Sequence, residues 1–536
     1  MFPDKLRIIP LGGVEEVGKN CLVFEYKNDI LVVDLGLEFP NPDYPGVQYL
    51  LPDISYLKSN QKKIKALIVT HGHLDHIGGI SYLIEDLGKP IIFGSKLTLA
   101  LIKERLEEKK IIGVPIKEVD KESILHLGNF KVKFFHVNHN IPDSLGLLIE
   151  TPVGKVIHTG DFKFDEDPYE ELPAEKEKIK KYAKNDTLLL LSDSTNADSP
   201  GKTISEKKVG EILSLLIKKI QGRVIFTTFS TLISRLKQII EICKKEQKKI
   251  VVFGLSLKKN LKIATELGYL KIPKGLFIEH QEMKKNPDHR LLVLATGSQG
   301  EERSALVKIA KGEFFDFKIK KGDTVIFSSS AIPGNELAIS ELMNDLIDKN
   351  AELVYEPILG LGIHSSGHAS QTDLEEMIAL VKPKFFIPVH GEHFMQAYHR
   401  DLAKKQGIKE ENIFILRNGD VLEIDKNKNA HLAQKKLAQL CPAVEAERVI
   451  FLRKELFEER KKMAEEGVCF LKIRKNSIKI RFFGLQFEKK IRREIEKKAL
   501  KLFQKYKRRA DFEKRIETSL KDYIASKTGK KPIVIL

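Results

Sequence analysis

The sequence predicts an α/β fold of layered sheets and helices in two blocks, closed by a small α+β module. Three observations carry that expectation. Short β-branched apolar runs alternate with turns over residues 1–205, strand and helix patterns alternate more strictly over 206–364, and residues 468–536 change to two strands, two amphipathic helices and a strand. In the first block the runs at 6–11, 21–26, 30–35, 66–70, 91–94, 130–136, 145–150, 155–159 and 187–192 read as buried strands. In the second, strands at 224–228, 250–255, 291–296, 324–329 and 352–355 are separated by helical patterns at 232–243, 257–267 and 335–348, the signature of a parallel sheet. Residues 431–467 read as a helix-prone connector. Beyond it, 468–472 and 478–483 read as paired strands. Ile491, Ile495, Ala499, Leu502 and Tyr506 share one helical face, Phe512, Ile516, Leu520 and Ile524 another, and 532–536 is a last strand.

Bulk properties narrow the class. A chain of 536 residues exceeds one ordinary core and points to about three domains. With 42% hydrophobic and 31% charged residues and no low-complexity tract, no large region reads as disordered. No apolar run approaches the about 20 residues a membrane span needs, and Met1 to Gly12 lacks the apolar region of a signal peptide, so a cytoplasmic location without membrane contact is expected. Cys21, Cys243, Cys441 and Cys469 stand singly, which excludes a disulfide framework or a cysteine zinc site. The net charge of +17 is concentrated: residues 472–531 hold 22 Lys and Arg against seven Asp and Glu, a net of +15. That density favours a polyanionic partner.

The chemistry is named by Thr70-His-Gly-His-Leu-Asp-His-Ile-Gly-Gly79. It lies where the strand at 66–70 turns into helical spacing from Ile77 to Leu87. His71 and His73 alternate, so both rings can converge on one divalent ion, while Asp75 and His76 can face a second. Four ligands cannot serve two ions. His139, in Asn138-His-Asn-Ile-Pro-Asp-Ser144, suits a third ligand to the first ion, and Asp161, after a strand and a Gly turn in His158-Thr-Gly-Asp-Phe162, suits a bridge between two cations. Asp34, at a strand end, is placed to orient ligands from behind. Gly12, Gly13 and Gly18 lack the Lys-Ser/Thr ending of a nucleotide loop and read as a tight turn beside the metals.

In this order Asp34, the cluster His71 to His76, His139 and Asp161 resemble the motifs of the metallo-β-lactamase fold. Leu191-Ser-Asp-Ser-Thr-Asn196, Gly362-Ile-His-Ser-Ser-Gly-His-Ala-Ser370 and Phe386-Ile-Pro-Val-His-Gly-Glu392 resemble the three extra motifs of the β-CASP nucleases. With Leu11-Gly-Gly-Val-Glu-Glu-Val-Gly-Lys-Asn20, Leu51-Pro-Asp-Ile-Ser-Tyr56 and the C-terminal Lys-Thr-Gly-Lys-Lys-Pro-Ile-Val-Ile-Leu536, essentially the full length looks like the ribonuclease J family. The resemblance implies an αββα sandwich at 1–205 and 365–430, an inserted β-CASP domain at 206–364, a connector at 431–467 and a basic α+β domain at 468–536. It implies that His71, His73 and His139 hold one Zn²⁺ and Asp75, His76 and His390 the other, Mn²⁺ or Mg²⁺ being alternatives, with Asp161 between them.

Two such ions would acidify a water and stabilise the charge of a phosphodiester transition state. His368 is the candidate general acid or transition-state stabiliser, and Asp193 orients the site. The resemblance also implies a pocket for a 5′-monophosphate, and Ser298, Gln299, His364, Ser366 and Gly367 are its expected walls, where Gly turns can aim backbone N–H groups at an anion. The implied activity is 5′ to 3′ exonucleolytic and endonucleolytic cleavage of single-stranded RNA, in RNA maturation and decay. The implied assembly is a homodimer or homotetramer, with further partners in an RNA-degradation complex. The alternative, a non-catalytic RNA-binding subunit, calls for lost ligands, and this chain keeps every one. A hydrolase for small esters or thioesters would need neither the β-CASP motifs nor the basic tail. The chain departs from the family at Ser365, where members carry an apolar residue, at Ser230 and Arg235 in Thr228-Phe-Ser-Thr-Leu-Ile-Ser-Arg235, only loosely like the RNA-contacting stretch, and at 478–484, which drift from the C-terminal pattern.

Overall fold

The computed structural model describes residues 4–536 apart from 41–43, 170, 185, 315–316, 333, 357–359, 438, 453 and 475–476. Chain contacts divide into two units, 1–38 with 51–439 and 39–50 with 440–536.

In the first unit two sheets face one another. An eight-stranded sheet runs Ala430–Leu432, Leu422–Asp425, Lys5–Gly12, Cys21–Tyr26, Asp29–Val33, Ile64–Ile68, Ile92–Gly94, Ile116–Glu118. A six-stranded sheet runs Phe385–Val389, Thr187–Asp193, Lys155–His158, Leu145–Glu150, Phe130–His136, Ile124–Leu127. The period-2 alternation of strands builds the layers. Phe134, Leu147, Ile149, Leu189 and Leu191 face inward onto Ile8, Phe24, Leu31 and Val33 of the other sheet. Their neighbours Phe135, Leu148 and Leu190 face outward onto Ile179, Leu374, Met377 and Leu402 of the covering helices Lys176–Ala183, Gln371–Val381 and His393–Lys405. The strand Phe385–Val389 lies parallel to Thr187–Asp193, so a segment almost two hundred residues downstream completes the earlier sheet.

Within this unit the middle block forms its own five-stranded sheet, ordered Lys249–Phe253, Leu291–Ala295, Val224–Thr227, Thr324–Phe327, Glu352–Tyr355 and parallel throughout, as its alternation of strand and helix predicts.

Several expectations are corrected. The strand expected at 66–70 is Ile64–Ile68, because residues 69–73 leave the sheet to carry the histidines. The helical spacing from Ile77 to Leu87 becomes two short helices, Leu74–Ile77 and Ile80–Leu83, broken at Gly78 and Gly79, which pack against Leu35 to Leu37. Ile116–Glu118 and Ile124–Leu127 escaped notice because their side chains are largely exposed and show no apolar alternation.

The largest correction concerns 431–467. Rather than a helical connector, it holds the strand Ala430–Leu432 at an edge of the first unit, a hairpin of Cys441–Glu445 and Arg448–Leu452, and the helix Lys454–Glu466. The hairpin turns at Ala446 and Glu447, both at positive φ, and pairs with Tyr49–Leu50, a partner too distant in sequence for local periodicity to reveal. The rest of the second unit follows the expected order. Val468–Arg474 pairs antiparallel with Ser477–Phe483 and parallel with Ile533–Ile535. One face of that sheet packs on Ile495, Ala499 and Leu502 of helix Lys489–Tyr506 and on Ile516, Leu520 and Ile524 of helix Phe512–Thr528. Among the described residues no helix is long and apolar enough to cross a membrane, and all four cysteines are free.

Candidate metal centre

The centre forms where strands end. Thr187–Asp193 delivers Asp193 as its last residue, Asp29–Val33 stops just before Asp34, and Phe385–Val389 just before His390. Asp34 and His390 both take positive φ, +61° and +52°, an uncommon conformation for residues other than glycine and one that recurs at functional sites.

The side chains converge in two neighbouring groups. His71, His73 and His139 bring three ring nitrogens together, His71 Nε2 and His139 Nε2 lying 3.1 and 3.0 Å from His73 Nδ1. Asp75, His76, Asp161 and His390 form the second group, with His76 Nε2 3.3 Å from Asp75 and 3.2 Å from Asp161, and His390 Nε2 3.3 Å from Asp161. Asp161 also lies 3.6 Å from His71 Nε2 and 3.8 Å from His139 Nε2, so one carboxylate oxygen faces both groups. His368 and Asp193 stand beside them, joined Nδ1 to Oδ2 at 2.8 Å.

Residues behind these side chains fix their orientation. A carboxylate or a carbonyl only accepts, so a ring nitrogen bonded to it carries the proton. His76 Nδ1 donates to Asp34 at 2.8 Å and His139 Nδ1 to the Gly367 carbonyl at 2.7 Å, which turns each Nε2 toward the centre. Asp34 is held in turn by the Thr70 backbone N–H at 2.8 Å and by the Thr70 hydroxyl. His390 Nδ1 meets the Asn20 side-chain oxygen at 3.1 Å, and its Nε2 is buried without a hydrogen-bond partner. Gly13, at φ +85°, gives its carbonyl to the His390 N–H at 2.7 Å, so the glycine turn does sit beside the centre.

Electrostatics separates the two groups. Burial drives the pKa of His71 and His139 well below the ordinary value and that of His73 to about 4, so these rings stay neutral with free lone pairs. Burial opposes charge on His76 too, yet Asp161, Asp75 and Asp34 outweigh it and push its pKa well up. Burial likewise works against ionised Asp161, and His390, His76 and His71 overcome it, holding that carboxylate well below its usual range. Neutral imidazoles, an orphaned buried ring nitrogen and carboxylates kept ionised are what divalent cations bind, and the donors fit a metal cofactor. His368 is desolvated, but Asp193 dominates and raises its pKa to about 9.

The expected phosphate-pocket residues fall in two places. The Gln299 side chain donates to the Ser330 carbonyl at 2.8 Å and accepts from the Ile332 N–H at 2.8 Å, with Ser298 buried beside it and His364 Nε2 3.4 Å from the Ser330 hydroxyl. Ser366 and Gly367 lie instead against the centre. The Ser366 hydroxyl accepts from Asn196 at 2.8 Å, and a Cβ on Gly367 would stand 2.6 Å from His139 Nδ1.

Sequence reading missed Asn20, Thr70 and Asn196, whose amide or hydroxyl groups carry no metal-ligand pattern. It also missed a buried cluster next to the centre. Lys163, two residues after Asp161, reaches Glu206 at 3.3 Å and the Ser365 hydroxyl at 2.8 Å, and Glu206 pairs with Arg235 at 2.7 Å. Ser365 is polar because it closes this network, and Arg235, fully buried and also bonded to Ser328 and the Ile363 carbonyl, is a brace rather than an exposed contact.

Comparison with known proteins gives three family models in chain order. Residues 14–219 match the metallo-beta-lactamase superfamily, 221–346 the beta-CASP domain of ribonuclease J, and 362–416 the Zn-dependent metallo-hydrolase RNA specificity domain. Ribonuclease J of Synechocystis is 41% identical over 466 residues, covering 86% of this chain and 72% of that protein. Ribonuclease J 1 of Streptococcus pyogenes is 44% identical over 423 residues, covering 79% and 75%. The Thermus thermophilus ribonuclease J is 39% identical over 475 residues, covering 87% and 82%. A solved structure of a protein of unknown function from Enterococcus faecalis shares the fold, with TM-score 0.55 and 16% identity over 78% of this chain and 100% of that one. From the matched models and from relatives this similar along most of its length, the chain belongs to the ribonuclease J family.

Proposed function

We propose that this metal-dependent ribonuclease removes nucleotides stepwise from the 5′ end of single-stranded RNA, with endonucleolytic cleavage as a second mode, in RNA maturation and decay. The observation that carries the reading is the convergence of seven ligand side chains with the Asp193–His368 pair on one buried centre. His71, His73 and His139 would hold one divalent cation, Asp75, His76 and His390 a second, and Asp161 would serve both. Two Zn²⁺ per subunit are proposed, Mn²⁺ or Mg²⁺ being able to replace them. Bound there, the cations supply an acidified water and positive charge against the phosphoryl oxygens.

The chain's own residues do the rest. Asp34 and Asn20 hold His76 and His390 with Nε2 turned inward. Asp193 fixes the His368 ring through Nδ1, leaving Nε2 to give a proton to the leaving 3′ oxygen. Ser298, Gln299 and His364, gathered around Ser330, would line the 5′-phosphate pocket, and Ser366 and Gly367 would join it on the side of the centre. The nuclease domain would comprise 1–205 and 365–430 around a β-CASP insertion at 206–364. A homodimer or homotetramer acting in the cytoplasm, with partners in an RNA-degradation complex, completes the proposal.

His76→Ala tests the site. Turnover of a labelled RNA should fall below detection while binding, read by filter retention, stays within about twofold, since removing a ligand destroys charge stabilisation worth orders of magnitude in rate. A variant that still cuts at the parent rate would defeat the assignment.

A further inference from the structure

We propose that the open face of the C-terminal sheet is a stacking platform for single-stranded RNA, separate from the hydrolytic centre. The proposal rests on the ribonuclease reading and adds a binding site to it. In the antiparallel pair Val468–Arg474 and Ser477–Phe483, Cys469, Leu471 and Ile480 point into the core with the two helices. The alternate residues point out. Phe470 stands opposite Arg481, Lys472 opposite Lys479, and Phe483 opposite Val468, which is itself buried. The two rings, 44% and 54% exposed, meet edge to face with centroids 5.9 Å apart, and Lys472, Lys479 and Arg481 are all exposed.

This arrangement costs the sheet stability. Like charges directly opposite one another repel, and two large phenyl rings left in water forgo burial. No carboxylate stands among these cross-strand residues to offset the three cations. A second copy docked by twofold symmetry would set cations on cations, which argues against self-association through this face. Single-stranded RNA satisfies both halves of the pattern at once. Its unstacked bases lie on aromatic rings, its phosphates take the cations, and every base has a π-face, so no sequence preference is required. The concentration of +15 in residues 472–531 supplies the surrounding field.

The chain contains no tryptophan, so Phe470→Trp in the full-length protein creates one reporter on this face. With chelator present, oligouridylate of about twenty nucleotides should quench the indole saturably, whereas duplex RNA of equal length and polyglutamate should not, because stacking needs an open base. Phe470→Ala with Phe483→Ala should raise the dissociation constant for the oligonucleotide about tenfold and leave thermal unfolding and cleavage of a tetranucleotide unchanged. Lys479→Gln, which keeps both rings, should weaken binding less and flatten its salt dependence.

Absence of quenching, or equal quenching by duplex or polyglutamate, would overturn the proposal. So would a double alanine variant that changes sedimentation and not affinity, which would make the face a contact between copies. Tetranucleotide cleavage by the same samples reports the hydrolytic centre independently: its loss in the parent protein would count against the ribonuclease reading, whereas the quenching alone decides the platform.

Discussion

Asp34 stands behind His76 and decides which nitrogen of that ring faces the centre, and Thr70 holds Asp34 in place through two donors. Losing such a partner typically weakens metal affinity or activity ~10–100-fold. Asp34→Ala is therefore expected to lower both by that order while leaving the His and Asp side chains of the centre intact, and titration calorimetry of the metal-stripped protein with Zn²⁺ reads it directly. Glu206 makes a different demand. It is buried, and despite desolvation Arg235 and Lys163 hold its pKa down to about 2 from an ordinary 4.5. Its folded-state pKa is depressed, so its contribution to stability is whole above about 4.5 and is lost as pH falls toward 2. Glu206→Gln, which leaves two buried cations less compensated, should cost ~3 kcal/mol at neutral pH by denaturant unfolding, and the gap from the parent should close across that acid window. A gap independent of pH would show that the carboxylate charge is not what the network uses.

The segment 362–368 serves the centre as an element. It carries His368 to Asp193, gives the Gly367 carbonyl to His139, and takes Arg235 on the Ile363 carbonyl. Because the Gly367 Cα lies against the His139 ring, Gly367→Ala should displace that ring, cut turnover roughly a hundredfold and lower the metal retained per chain. Metal analysis after gel filtration checks the second half of that expectation. Elements also set what the sequence could disclose. The histidines from His71 to His76 lie on one short turn, where spacing alone exposes them. His390 is more than three hundred residues from His76, and its place emerged from motif resemblance and not from periodicity. Asn20 was illegible because an amide signals no metal chemistry until the fold aims it at two histidines. The hairpin at 441–452 was missed for a related reason, since the strand that completes its sheet, Tyr49–Leu50, lies almost four hundred residues away.

At the scale of the molecule, function follows from how two separated chain segments close one sheet and, at its ends, one site. Periodicity disclosed nine strands of the layered sheets and the parallel middle block, because alternation of apolar residues is a local property, and it was silent where the strands are exposed, as at Ile116–Glu118 and Ile124–Leu127. The pairing of Phe385–Val389 with Thr187–Asp193 is not local, yet it brings His390 beside Asp193. The charge distribution was legible from composition alone, whereas the register that places Phe470 opposite Arg481 and Lys472 opposite Lys479 required the folded sheet. The most direct test of the whole account is digestion of one 5′-labelled RNA, presented with a 5′-monophosphate or a 5′-triphosphate, alongside metal analysis of the same protein. The account predicts about two divalent ions per chain, release of labelled mononucleotide, faster loss of the monophosphorylated form, and activity abolished by chelation and restored by added metal. Equal rates on both RNAs with only internal products, or full activity in metal-stripped protein, would contradict it.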